Sequence, residues 1–260
     1  MAKDAKSFVP VLSEHLGDIY NFSYRVTNSE EQAEKVTREV FLRAYSGRKK
    51  LPEPKHVAAW LLKIAVHVVQ NSDSGARITF DYLDDTIRGD PTMVTRTGSL
   101  TDPERQLLLW ELKQGCMTAV LNCLSEGERM AFVVVVMMGM RSADAAATLA
   151  ITPAALKVRL SRAKKKIVDY LAPRCEHVHP SNPCRCPSRL GVALQKGFIQ
   201  DVANKEVSLR KMPPEALKPT APLRDVVAIY QRLPLPPGRE DLREQLEQEL
   251  LSGAWDKLVS

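Results

Sequence analysis

The sequence predicts an all-α protein made of two small helical domains, a flexible linker between them and a mostly helical C-terminal extension. Apolar residues recur at helical spacing over residues 8–72 and again over residues 104–172, which predicts the two domains. Residues 73–103 show little periodicity and many turn-forming residues, as is typical of a linker. After Pro173 the proline density rises, and we divide the remainder into a Cys/His-rich segment, 173–199, and an extension, 200–260.

Composition narrows the possible partners and the compartment. The 260 residues contain 37 Lys and Arg against 31 Asp and Glu, and this net charge of +6 favours an acidic partner such as nucleic acid. The longest apolar run, 131–140, is too short to cross a bilayer, and residues 1–9 lack an apolar signal core. We therefore expect a cytoplasmic protein with no membrane partner. In that compartment its cysteines are better suited to metal or redox chemistry than to structural disulfides.

Three helices are expected in the first domain. Apolar residues over 8–22 follow a helical period, and a second helix is expected over 29–45 with Ser29 as its N-cap. Pro52 and Pro54 break the chain before a third helix, which is expected over 56–71.

The second domain contains a helix-turn-helix pattern. Ser125 and Glu128 have capping-box spacing at the start of an apolar helix, 126–138, and Gly139 is expected to end it. A short helix over 142–149 and a tight turn at 150–152 follow. Thr152 and Pro153 then suit the N-cap and first position of a longer helix.

The longer helix is the candidate DNA-reading element. Its apolar stripe comprises Leu156, Leu160, Ala163, Ile167 and Tyr170. The candidate DNA contacts are Thr152, Ala154, Lys157, Arg159, Arg162, Lys164 and Lys165. Arginine can pair with guanine in the major groove and lysine can neutralise phosphate. A solvated basic helix end is the alternative, but the capped preceding helix and the tight turn favour DNA binding within 125–170.

Residues 124–167 resemble region four of the extracytoplasmic-function (ECF) branch of bacterial RNA polymerase sigma factors. The resemblance rests on Leu124-Ser125-x-x-Glu128-Arg129, Ala147-x-Leu149-x-Ile151-Thr152 and Lys157-x-Arg159-Leu160-x-Arg162-Ala163. It implies that the helix beginning after Thr152 reads the promoter −35 element.

Residues 8–72 resemble region two of the same family through segments 36–44 and 59–65. The resemblance implies that the first segment binds the polymerase clamp, with contacts from Arg38, Glu39 and Arg43. It implies that the second reads the −10 element, with contacts from Lys63 and His67. Lys35 and Arg38 replace the family's usual acidic residue and glutamine, and His67 and Asn71 replace its asparagine and aspartate. These departures keep open a stand-alone helix-turn-helix regulator that does not bind polymerase.

A dense group of thiols and imidazoles follows the second domain: Cys175, His177, His179, Cys184 and Cys186. These residues can supply the four ligands of a tetrahedral zinc ion. The Cys184-x-Cys186 spacing suits another soft metal or a redox pair about as well, and an exposed loop with incidental cysteines is the remaining alternative. We interpret Cys116 and Cys123 as core residues.

Two late helices are expected, over 223–232 and 240–258. Leu242, Leu246 and Leu250 give the second helix an apolar face. Because a proline-rich tether precedes this helix, we expect it to pack on the chain's own DNA-binding or clamp-binding region rather than on a separate protein.

The combined resemblance implies a sigma factor that recruits core RNA polymerase to specific promoters and starts transcription. In related proteins a Cys-rich tail senses metal in place of a separate anti-sigma protein, which implies regulation by the extension. The partners implied are core polymerase and promoter duplex DNA, and an anti-sigma protein stays open as a third. An enzyme is disfavoured, because the sequence has no His-Glu-x-x-His pattern and no nucleophile constellation. No catalytic residue is therefore assigned.

Overall fold

The computed structural model describes residues 2–71, 78–87, 102–195, 199, 225–231, 233 and 239–259. These residues form helices and no β-strand, which confirms the all-α prediction. Their described parts make two compact units, one from 1–76, 133–158 and 238–260, the other from 77–132 and 159–237. Each unit therefore combines residues of the predicted domains with residues of the extension, and the domain boundaries stay a prediction. None of the described helices has the length and hydropathy of a membrane span.

Three helices open the first unit: α1 (Ala2–Thr27), α2 (Glu30–Ser46) and α3 (Pro54–Gln70). Ser29 caps α2 as predicted, and its hydroxyl accepts a hydrogen bond from the Gln32 amide at 3.3 Å. Helix α3 begins earlier than expected, at Pro54, because proline at the first helical position loses no hydrogen bond. The apolar faces of the three helices meet, with Phe22, Phe41 and Leu61 fully buried.

The apolar helix expected over 126–138 changes its winding partway. Helix α6 (Glu126–Phe132) continues as a π-helical turn, Val133–Met137, in which the Met138 amide donates to the Val133 carbonyl at 2.9 Å. Gly139 then adopts a φ of 67°, the left-handed conformation that commonly ends a helix, as predicted. The π turn and α1 are in contact within the first unit.

The helix-turn-helix consists of α7 (Ser142–Thr148) and α8 (Pro153–Leu171). Thr152 caps α8 as predicted, since its hydroxyl accepts from the Ala155 amide at 3.1 Å. Arg141 occupies the N-cap position of α7, which has no side-chain cap hydrogen bond. In the turn, Ala150 has a φ of 52°, which is unfavourable for a residue with a Cβ. Helix α7 also contacts α3.

The second unit is organised around α5 (Asp102–Asn122). Helix α9 (Cys186–Gln195) packs on it through a cluster of Leu108, Leu190, Ala193 and Ile199. Helix α10 (Val226–Gln231) falls within the expected 223–232, and its Tyr230 hydroxyl donates to the Met117 carbonyl at 3.1 Å. Of the other residues expected in that helix, Asp225 precedes it, and 223, 224 and 232 lie outside the described part of the chain.

Part of the segment expected to be a linker is helical. Helix α4 (Phe80–Ile87) begins after Thr79, whose hydroxyl accepts from the Tyr82 amide at 3.1 Å. The Phe80 ring stacks on Tyr170 with their centroids 4.8 Å apart. A cap and tertiary contacts with Tyr170 and Arg174 therefore fix a helix too short to give a clear periodic pattern. The rest of the predicted linker, apart from residues 78 and 79 and the start of α5, lies outside the described residues.

The last expected helix, 240–258, is two helices: α11 (Glu240–Leu251) and α12 (Ala254–Val259). Gly253 separates them with a φ of 77°. Leu246, Leu250 and Trp255 are buried, and α11 contacts α1 while α12 contacts α2 within the first unit. The end of the chain therefore packs on the chain's own helices α1 and α2, as expected.

The turn of the helix-turn-helix gives the first test. We expect Ala150→Gly to raise the free energy of unfolding by about 0.5–1 kcal/mol, because glycine adopts a positive φ without steric cost. The matched control, Ala147→Gly in the exposed interior of α7, should lower it by a similar amount. Urea unfolding of both variants checks the opposite signs, and a destabilised Ala150→Gly would contradict the assigned turn.

Candidate nucleic-acid interface and thiol cluster

Helix α8 has an apolar side that is buried and a basic side that is open. Leu156, Ala163, Ile167 and Tyr170 of the predicted stripe are buried, and Leu160 is half-buried. Of the predicted DNA contacts, Thr152, Ala154, Lys157, Arg162 and Lys165 are exposed. Lys165 pairs with Asp169 on the next turn, at 2.9 Å. The side chains that a groove would meet are therefore accessible.

Arg159 differs from the other predicted DNA contacts. It is half-buried, and its guanidinium lies over Gly127, where a Cβ would come within 3.0 Å of Nη1. Glycine at 127 thus allows Arg159 to pack against the start of α6. Lys164 is also half-buried, so Arg162 is the most accessible arginine of the predicted set.

Glu128 connects the start of α6 to α8. Its carboxylate accepts from the Ser125 amide at 3.1 Å, which is the capping-box bond, and from the Lys166 ammonium at 2.7 Å. Burial acts to raise the pKa of Glu128, but hydrogen bonds from Lys166 and Ser125 together hold that pKa below its usual range. Lys166, one of the basic residues of α8, therefore ties this helix to the start of α6 through an ion pair.

The two residues predicted to meet the −10 element lie together on α3. Lys63 and His67 are exposed and one helical turn apart. The Asn71 side-chain amide donates to the backbone carbonyl of His67 at 2.7 Å. The same amide nitrogen lies 3.3 Å from Nδ1 of the His67 ring. The three side chains form one polar patch at the end of the helix.

The residues of α2 that are predicted to contact polymerase have two environments: two are partly exposed to solvent, and one contacts the extension. Glu39 and Arg43 form an ion pair at 2.6 Å along the helix and are partly exposed. Arg38 instead forms an ion pair with Glu249 of α11. That hydrogen bond from Arg38 is the main reason why the pKa of Glu249 is lowered. The sequence showed no sign of this partner, which lies far along the chain.

Further contacts fix the extension on the first unit. The Tyr45 hydroxyl donates to Asp256 at 2.8 Å, and the Tyr45 ring meets Trp255 edge to face, with centroids 5.7 Å apart. At the start of α11, Arg239 pairs with Glu34 and donates to the Tyr20 hydroxyl at 3.2 Å. Helices α11 and α12 thus cover one side of α2.

The Cys/His-rich segment folds back on itself. The Cys184 amide donates to the Arg174 carbonyl at 2.9 Å, and the Glu176 amide donates to the Cys184 carbonyl at 3.1 Å. The Asn182 side chain closes the turn by donating to the Ala172 and Cys175 carbonyls, at 2.7 and 2.9 Å. This isolated bridge brings Cys175 and Cys184 side by side.

The donor atoms of Glu176, His177 and Cys186 form a compact group. All three lie within 4.8 Å of one another, and His177 Nε2 is 3.4 Å from Cys186 Sγ. Zinc–ligand distances of about 2.0–2.3 Å in a tetrahedron place neighbouring donors about 3.5 Å apart, which is close to the separation of this pair. His179 is exposed and its Nδ1 faces the Ser181 hydroxyl at 2.6 Å, outside this group.

A cavity of about 320 Å³ adjoins the cluster. Four thiols line it: Cys116, Cys175, Cys184 and Cys186. The interpretation of Cys116 as a core residue is wrong, because the residue is half-buried and faces this cavity. Cys123, which directly follows α5, is buried as expected. Sequence reasoning missed Cys116 because only the packing of α9 on α5 brings it to the cluster.

Burial determines the protonation state of the metal-free cluster. Burial is the main cause that raises the pKa of Cys116 to about 12 and raises the pKa values of Cys175 and Cys186. Burial and then the nearby charge of Lys113 lower the pKa of His177. The thiols are therefore protonated and the imidazole is neutral at pH 7, so a metal would displace thiol protons on binding.

Comparison with known proteins identifies two matching regions. Residues 114–167 match the family model "Sigma-70, region 4", and residues 11–72 match "Sigma-70 region 2". The curated protein "ECF RNA polymerase sigma factor SigE" of Mycolicibacterium smegmatis is 23% identical over 168 residues. That alignment covers 64% of this chain and 62% of the relative, which is less than two thirds of the relative's length.

The carboxylate of Glu128 gives a pH-dependent test. Glu128→Gln keeps the capping bond but loses the ion pair with Lys166, so we expect the free energy of unfolding to fall by about 1–2 kcal/mol at pH 7. Because the folded-state pKa is the lower one, this contribution is full above the unfolded pKa of about 4.3 and is lost as the pH falls through the folded value.

Denaturant unfolding at pH 7 and pH 3 measures the difference. The matched control is Glu126→Gln, an exposed carboxylate in the same turn, which should change little at either pH. A Glu128→Gln variant with the same loss at both pH values would argue against the ion pair.

Proposed function

Because this chain belongs to the ECF group of sigma-70 factors, we propose that it recruits core RNA polymerase to specific promoters and starts transcription. The observation that carries the proposal is the open basic side of α8, capped at Thr152, within the segment that matches region four. In this function the protein performs no bond chemistry of its own. Its partners are core polymerase and promoter DNA, both cytoplasmic, and we place the protein in the cytoplasm.

Helix α8 would enter the major groove at the −35 element. Its capped N-terminus presents Thr152, Ala154 and Lys157 to phosphates or base edges. Arg162 is exposed and can pair with a guanine, whereas Arg159 supports the helix through its contact over Gly127. Lys164 and Lys165 add positive charge along the backbone path.

Region two would contact the −10 element and the polymerase clamp. The patch of Lys63 and His67 on α3 would meet the −10 element, and Arg38, Glu39 and Arg43 on α2 would meet the polymerase clamp. The alternative is a DNA-binding regulator that does not bind polymerase. Co-purification with core polymerase, followed by run-off transcription, separates the two functions.

We propose that the extension inhibits this function by occupying α2. Glu249 holds Arg38, and Asp256 and Trp255 hold Tyr45 on the same helix. A polymerase clamp that uses Arg38 has to displace Glu249 first. Regulation by the chain's own tail would take the place of a separate anti-sigma protein.

We also propose that the Cys/His-rich segment binds zinc or another thiophilic metal. Three thiols of this segment, Cys175, Cys184 and Cys186, line one cavity, and His177 lies beside Cys186. Thiolate donors favour soft or borderline metals. Three thiols leave one position of a tetrahedral site for a further ligand. His179 has no place in this proposed set.

Substitution of Arg162 tests DNA reading. We expect Arg162→Ala to weaken promoter binding by the assembled holoenzyme by about 1–3 kcal/mol and to relax the preference at one base pair, because a bidentate contact is lost. Filter binding or band-shift assays with promoters that carry altered −35 elements measure the affinity and the base preference. Lys6→Ala, at an exposed position on α1, is the control. If Arg162→Ala and Lys157→Ala both bind as the unaltered protein does, α8 is not the reading helix.

Charge reversal at Glu249 tests inhibition by the extension. Glu249→Arg loses the pair with Arg38 and the bond from the Trp255 indole, and it sets two cations together. We expect the apparent affinity for core polymerase to rise about tenfold, which corresponds to about 1.4 kcal/mol. The matched control is Glu244→Arg, an exposed position on the same helix. Equal affinity of both variants and the unaltered chain would refute inhibition through α2.

A further inference from the structure

We propose that Cys116 of α5 is the fourth ligand of the metal site, completing a four-thiolate set with Cys175, Cys184 and Cys186. This inference rests on the proposed metal site and concerns which residue fills its last position. It assigns a ligand outside the Cys/His-rich segment, on a helix that lies within the matched region four for residues 114–122.

The four thiols come together through three separate structural elements. Cys116 lies on α5, Cys186 begins α9, and the isolated bridge holds Cys175 beside Cys184. Helix α9 packs on α5, so Cys186 and Cys116 face the same space. All four side chains line one cavity of about 320 Å³, and a metal with sulfur ligands at about 2.3 Å would draw the four sulfurs closer together on binding.

The cavity wall suits an anionic centre. A divalent ion with four thiolates carries net negative charge, and the same cavity is lined by the cations Lys113, Arg174 and Arg189. Lys113 precedes Cys116 by one turn of α5. Asp84 is the acidic residue of this lining, and it already pairs with Arg174 at 3.1 Å.

His177 has a supporting role in this arrangement. Its Nε2 lies 3.4 Å from Cys186 Sγ, so the protonated nitrogen can donate to the metal-bound sulfur. Partners of this kind orient a ligand and adjust its charge without binding the metal. Glu176 orients the same residue from the other side, since its carboxylate accepts from the Cys186 amide at 2.6 Å.

A ligand on α5 changes what the metal does for the fold. With Cys116 in the set, the ion links the Cys/His-rich segment to the helix that α9 packs against, across roughly sixty residues of sequence. Metal binding then stabilises the second unit as a whole, because only the folded unit brings the four thiols together.

The test uses the full-length, reduced, metal-free protein titrated with Co²⁺ and then Zn²⁺. Thiolate-to-cobalt charge-transfer absorbance increases with the number of bound thiolates, and displacement by Zn²⁺ gives the relative affinity. We expect four thiolates in the unaltered protein, and in Cys116→Ser one fewer with at least about tenfold weaker Zn²⁺ binding. Cys123→Ser, at a buried cysteine that directly follows α5 and lies outside the cavity lining, is the matched control and should behave as the unaltered protein does.

Two different failures can be told apart. If Cys184→Ser loses a thiolate but Cys116→Ser does not, Cys116 is not a ligand and the metal site of the Cys/His-rich segment stands. If the unaltered protein binds neither ion, both the proposed metal site and this inference are overturned.

A second measurement avoids substitution altogether. Alkylation of the unaltered chain with iodoacetamide, read by mass spectrometry, reports each thiol separately. We expect Zn²⁺ to slow alkylation of Cys116 at least about tenfold, together with that of Cys175, Cys184 and Cys186. Protection of the other three without Cys116 would overturn the assignment.

Discussion

Burial of Trp255 and of the leucine face of α11 against α1 and α2 is the contact on which the arrangement of the first unit depends. Each large apolar side chain taken out of water contributes about 1.5–3 kcal/mol, and Leu242, Leu246, Leu250 and Trp255 are all buried. The ion pairs around them are partly exposed, and pairs of that kind contribute about 0–1 kcal/mol. Apolar burial therefore holds the extension in place, while Arg38–Glu249 and Tyr45–Asp256 fix its register on α2.

The second unit shows the same principle around α5. Leu190 and Ala193 of α9 pack near Leu108 of α5, and the Tyr230 hydroxyl of α10 donates to a backbone carbonyl of α5. Segments that follow the helix-turn-helix thus supply core residues to α5. A polar cluster can lie beside such a core at low cost when its groups are neutral, and burial keeps the thiols protonated and His177 uncharged. A metal that bound here would displace the thiol protons and coordinate the sulfur atoms.

Local chemistry explains which features the sequence predicts. The caps at Ser29 and Thr152 involve residues three positions apart, and the structure confirms both. The fold class follows from helical periodicity alone. The π turn at Val133–Met137 escapes prediction because it alters winding without altering the apolar pattern. Cys116 escapes because its neighbours depend on how α9 packs, and no spacing within α5 records that.

The proposed inhibition can be reversed only if polymerase binding supplies more free energy than the contacts that it replaces on α2. The side of α2 that we propose meets the polymerase clamp is held by Glu249, Asp256 and Trp255, whereas the basic side of α8 stays accessible. Control would therefore act on polymerase binding and leave DNA reading intact. An interface with nanomolar affinity supplies about 12 kcal/mol, which exceeds the ion pairs and hydrogen bonds that polymerase would have to replace on α2. Removing the whole extension would also expose its buried leucines, and the binding free energy of such an interface does not cover that further cost. The less costly route is therefore release of the side chains on α2 while α11 stays packed on α1.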